Sequence, residues 1–110
     1  MNWRGDGMRS WLIQRVSAIF IILYLIYLVF SVAGFTQLDY QNWHAWVSIT
    51  ANKILIVLFF LSLLLHAWVG IRDVVLDYLH GFTMRFIALT AIIGLMLAMA
   101  IWLLLIIIKV

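Results

Sequence analysis

The chain of 110 residues contains no cysteine, no proline and no glutamate, and only 10% of it is charged. Each absence removes a class of function. Without cysteine there is no disulfide, no thiolate-held iron–sulfur cluster and no thiol chemistry, so a redox role needs a cofactor from outside the chain. Without proline nothing forces a kink into a helix. Without glutamate the chain lacks the membrane-embedded carboxylate on which small multidrug exporters rely. Zinc chemistry is missing its motifs too, because neither HExxH nor a cluster of Cys, His and carboxylate is present. The seven basic residues give a formal net charge of +3, but they lie scattered at segment ends and do not form the stripe that nucleic acid binding calls for.

Hydrophobic residues make up 68% of the chain, and the mean hydropathy is +1.21, far outside the range of a water-soluble domain. Apolar runs extend from Trp11 to Phe35, from Ile54 to Ile71 and from Phe86 to Ile108, each near the ~20 residues that carry a helix across hydrocarbon. The sequence therefore predicts an all-α membrane protein with transmembrane helices over about 12–35, 53–76 and 84–108. T-A-N-K before Ile54 and the residues after Gly70 stay helix-compatible, so the second helix is expected to project beyond the membrane at both ends. No segment outside the runs is long enough for a soluble fold, and residues 1–110 read as a single membrane domain. The first run follows basic residues and carries S-V-A at Ser31 to Ala33, yet it is too long for the apolar region of a signal peptide and reads as a retained helix.

Arg4, Arg9 and Arg15 precede the first span, Arg72 and Arg85 lie in the second connector, and the first connector and the tail hold only Lys53 and Lys109. By the positive-inside rule the N-terminus is expected in the cytoplasm and the C-terminus outside. The outer connector carries Tyr40, Trp43 and Trp46, suited to an interfacial aromatic belt or to a short helix on the membrane surface.

One residue stands out against this background. His66 sits within L-F-F-L-S-L-L-L-H-A-W-V-G, and an ionisable group at that depth loses its water and must recover the cost through a partner. Ser62, His66 and Gly70 are spaced i, i+4, i+8, and Asp73 and Asp77 continue the same stripe. Six residues separate His66 from Arg72, which sets the imidazole roughly 9 Å inside the cytoplasmic boundary at 1.5 Å per residue. Three roles compete for it. It can stitch helices by a hydrogen bond to a serine or a carbonyl; it can be an axial ligand to haem iron, with Gly70 leaving room for a flat macrocycle; or it can relay protons, although neither other span carries a mid-membrane charge. His44 and His80 lie in connectors, so a six-coordinate haem would draw its second ligand from another polypeptide. Asp77 and Tyr78 can be simply solvated at the membrane edge, or can bind quinone: a phenolic hydroxyl suits a quinone carbonyl and a carboxylate suits proton transfer. Trp68 either lines that region or faces lipid.

The segment H-A-W-V-G-I-R-D-V-V-L-D-Y, His66 to Tyr78, together with L-I-Q-R-V-S-A-I at the first helix, resembles the hydrophobic membrane-anchor subunit of bacterial succinate dehydrogenase, the D-type subunit of succinate:quinone oxidoreductase. The resemblance implies that His66 ligates the iron of a haem b shared with a second, cytochrome b type anchor subunit. It implies that Tyr78 and Asp77 take part in ubiquinone binding and that Arg15 contacts a haem propionate. It also implies a bundle completed by the second anchor, with FAD and iron–sulfur clusters in partner flavoprotein and iron–sulfur subunits. The chain would act as a subunit of the enzyme without touching succinate, and its expected place is the bacterial inner membrane, in keeping with a short N-terminus and no transit peptide. A structural or assembly protein, or a small transporter, is the alternative. The resemblance assigns no role to Arg4, Arg9, His44 or His80.

Overall fold

The computed structural model describes residues 3–110, with side chains from residue 7 onward; the side chain of Arg4 lies outside that range. Four helices follow one another: α1 (Trp3–Ala33), α2 (Tyr40–Ser48), α3 (Thr50–Tyr78) and α4 (Phe82–Lys109). Three of them, over Gly7–Ala33, Thr50–Tyr78 and Phe82–Lys109, are long and apolar enough to cross a membrane. In hydrocarbon the backbone must satisfy its own hydrogen bonds, and a helix does so within one segment. With 29 residues in α3, that helix runs about 43 Å at 1.5 Å per residue, against a hydrocarbon core of about 30 Å. The helix continues past the apolar run Ile54 to Ile71 at both ends, from Thr50 to Tyr78.

Helix boundaries follow local chemistry. Asp39 caps α2, its carboxylate accepting from the Asn42 amide at 2.9 Å, as an N-cap side chain does for an otherwise unpaired first-turn donor. Ile49 is extended and separates α2 from α3 by a single residue. The corner is held from inside: Asn52, 3% exposed, donates to the Trp46 carbonyl at 2.8 Å and accepts from the Tyr27 hydroxyl at 2.5 Å. At the other end of α3 the Arg85 guanidinium donates to the carbonyls of Leu79 and Leu76, at 2.5 and 2.7 Å. A cation placed there satisfies orphan carbonyls and complements the helix dipole.

α3 is the central element: α1 and α4 flank it, and α2 packs on it at one end. The α1–α3 register is antiparallel. Ser10 meets Arg72, Ser17 meets His66, Tyr24 stacks on Phe59 with ring centroids 4.5 Å apart, and Tyr27 meets Asn52, so α3 runs back along α1 from one end of the pair to the other. Few side chains are buried. The cluster of Tyr24, Trp46, Val47 and Ile56 forms the core, and α4 buries none of its residues. Tight packing of apolar against apolar gains little where the solvent is itself hydrocarbon, so lipid and further protein can cover the remainder.

Trp46 departs from the expected aromatic belt. It is 9% exposed, its ring 6.0 Å from Tyr27 and 5.4 Å from Trp43, and so it belongs to the core, whereas Tyr40 and Trp43 stay exposed.

Candidate functional site

The polar stripe of α3 faces α1. Ser17 Oγ lies 3.1 Å from His66 Nδ1, one turn from where the amide of Gln14 lies against Gly70. A Cβ added at Gly70 would meet Gln14 Nε2 at 3.6 Å, an ordinary contact. Gly70 thus lies beside the Gln14 side chain of α1. A turn further, Arg72 donates to the Ser10 hydroxyl at 2.7 Å and lies 3.6 Å from the Asp73 carboxylate.

An open pocket of about 640 Å³ lies between the N-terminal half of α1 and the C-terminal half of α3, with His66, Ser10, Arg15, Gln14, Arg72 and Asp73 as its polar lining and Trp11, Ala18 and Val69 as apolar wall. Arg15 lines it, its guanidinium 5.8 Å from the centre of the Trp11 ring, a distance at which the ring face attracts a cation. Two buried polar atoms here have no hydrogen-bond partner, Gln14 Oε1 and Arg72 Nε. Buried polar groups are almost always paired, so these two mark a surface that something else completes. Among the described residues no three His, Cys, Asp or Glu side chains gather. A single imidazole suits a metal that brings most of its own ligands, as iron in a macrocycle does.

The other candidates lie apart. Asp77 and Tyr78 end α3 and are exposed, Tyr78 at 75%; twelve residues from His66, Tyr78 is about 18 Å further along the helix. Trp68 faces the apolar groove between α3 and α4, with Leu64, Ile93 and Leu97, away from the pocket. His44 sits on α2 beside Ser48 and Tyr40, His80 in the turn between α3 and α4, and Arg9 is exposed near the start of α1.

The residues of α1 that meet α3 were not foreseen as a set. Their signal was available: Ser10, Gln14, Ser17 and Tyr24 fall at steps of four, three and seven, the spacing of one helix face.

Fold and site together define a class of protein, a multi-pass helical membrane protein with a polar pocket between two of its spans. Over residues 1–107 the chain matches the succinate dehydrogenase/fumarate reductase transmembrane subunit family, and it belongs to that family. A relative, the succinate dehydrogenase hydrophobic membrane anchor subunit of Coxiella burnetii (strain RSA 493 / Nine Mile phase I), is 27% identical over 96 residues, which cover 87% of this chain and 84% of the relative. The chain is thus a membrane anchor subunit of an oxidoreductase complex in the bacterial inner membrane.

Proposed function

We propose that this subunit supplies one axial ligand, His66, to a haem b shared with a second anchor subunit, and that Asp77 and Tyr78 form part of a ubiquinone-reduction site at the cytoplasmic edge. The observation that carries the reading is the pocket around His66: Nδ1 engaged by Ser17, Arg15 and Arg72 in the lining, and two buried polar atoms left over. The donor set fits the group. A neutral imidazole nitrogen suits haem iron, guanidinium groups suit propionate carboxylates, and Trp11, Ala18 and Val69 offer an apolar wall. When bound, the haem supplies one-electron chemistry.

The residues of this chain do the remaining work. His66 holds the iron, Arg15 and Arg72 neutralise carboxylates, and the helices tether the flavoprotein and iron–sulfur subunits. Quinone reduction takes up two protons with two electrons, which favours a site at the aqueous edge, and the last turn of α3 reaches it. There the Tyr78 hydroxyl hydrogen-bonds a quinone carbonyl while Asp77 orients the ring or passes protons. Arg9, Arg15, Arg72 and Arg85 fall at one end of the helix bundle and Lys53 and Lys109 at the other, which supports a cytoplasmic N-terminus and a periplasmic C-terminus.

The test is to co-express the chain with the neighbouring membrane subunit and record a reduced-minus-oxidised spectrum. A b-type band is expected in wild type and is lost in His66→Ala. A band absent from wild type, or one that survives the substitution, refutes the reading and leaves His66 as a stitch between helices.

A further inference from the structure

We propose that Ser17 is a positioning residue for the metal ligand: it accepts a hydrogen bond from the Nδ1–H of His66 and thereby fixes the tautomer in which Nε2 carries the lone pair. The inference rests on the reading of His66 as a haem ligand and adds to it the group that makes the imidazole ready to bind.

The argument is a count of protons. A serine hydroxyl has one hydrogen to give and two lone pairs to receive with. Ser17 Oγ lies 2.6 Å from the Ile13 carbonyl, 3.1 Å from the Gln14 carbonyl and 3.1 Å from His66 Nδ1. Both carbonyls can only accept. The single hydroxyl proton points to the nearer of them, one turn back along α1, in the back-bonded geometry open to a helical serine. Toward His66 the oxygen then has only lone pairs to offer, and the contact forms with the proton on Nδ1. A neutral imidazole carries one N–H, so Nε2 is left with the lone pair that iron requires.

Burial sharpens the assignment. Ser17 is 6% exposed, so water does not compete for the hydroxyl, and donation to Ile13 polarises the oxygen into a better acceptor for His66. An acceptor on the remote nitrogen of a ligating histidine orients the ring and raises its basicity. A more basic ligand stabilises the oxidised iron, so loss of the acceptor raises the haem reduction potential and weakens the hold on the haem.

The experiment uses the whole complex, purified with both anchor subunits, in wild type and with Ser17→Ala, Ser17→Thr and Ser17→Cys. Haem affinity is read from loss to a scavenging apoprotein, and the haem potential from a redox titration followed optically. Ser17→Ala is expected to lower haem affinity about 10- to 100-fold and to shift the potential upward. Ser17→Thr restores both, and Ser17→Cys, with a weak sulfur acceptor in a similar volume, falls between. If Ser17→Ala does not assemble, the ordering of threonine above cysteine carries the test. Equal affinity and potential in Ser17→Ala and wild type, or in Ser17→Thr and Ser17→Cys, overturn this inference alone when His66→Ala still abolishes the band. Absence of any b-type band from wild type overturns the haem reading, and the inference with it.

Discussion

Toward α2 the α1–α3 pair closes on Tyr24, Tyr27, Asn52, Phe59 and Trp46, while toward the α3–α4 turn the same pair opens on Ser10, Gln14, His66 and Arg72. At the closed end the polar groups complete one another: the Tyr27 hydroxyl donates to Asn52, and Asn52 donates to the Trp46 carbonyl. The open end is different. Gln14 Oε1 and Arg72 Nε are buried without partners, and each such group costs about 1–3 kcal/mol if nothing completes it. One register therefore serves two purposes. The closed end fixes how the helices meet, and the open end leaves groups that the described residues do not pair.

If this division is right, substitutions at the closed end lower stability and spare the chemistry, and those at the open end do the reverse. The largest expected effect is Trp46→Ala, which leaves a cavity under the α2–α3 corner and destabilises the complex by about 3 kcal/mol, within the range for truncating a buried aromatic side chain. A detergent unfolding midpoint measures it, and the haem spectrum is expected to stay unchanged. Next comes Asn52→Leu, which strands the Tyr27 hydroxyl and leaves the Trp46 carbonyl only the Ile49 amide at 3.4 Å, at a cost of about 1–2 kcal/mol; the double variant with Tyr27→Phe is expected to recover part of the loss.

At the open end, Tyr78→Phe removes one hydrogen-bonding hydroxyl from an exposed side chain. Quinone reductase activity in the assembled complex is expected to fall about tenfold, the equivalent of one such bond, with haem content and unfolding midpoint unmoved. Only a small effect on stability is expected for Gln14→Leu, within about 0.5 kcal/mol, because its carbonyl oxygen has no partner among the described residues to lose. Haem retention is nevertheless expected to weaken. A large stability loss with haem intact would place Gln14 with the closed end and erase the comparison.

How much of this could be read from the chain depends on what kind of signal a lipid-embedded sequence carries. The three spans were legible because runs such as Phe86 to Ile108 have no other use in water. His66 was legible because it is the exception within such a run, and the interval to Asp77 and Tyr78 carried a family resemblance that the comparisons bear out at the level of the subunit. The face of α1 was harder. Lipid and protein neighbours are equally apolar, so the usual contrast between inward and outward residues is weak, and Ser17 reads as one small residue among many until α3 is laid beside it. Trp46 was misplaced for a related reason: an aromatic residue in a connector between spans suits the membrane interface as well as it suits a core, and only the corner at Ile49 turns it inward.

The most direct test is a map of the assembled complex at side-chain resolution around the α1–α3 pocket. The account expects the iron of a porphyrin within bonding distance of His66 Nε2, with Ser17 still on Nδ1, Arg15 or Arg72 on a propionate and a second axial ligand from the neighbouring anchor subunit. A His66 ring whose Nε2 instead meets a partner side chain or lipid, with no porphyrin in reach, would contradict it.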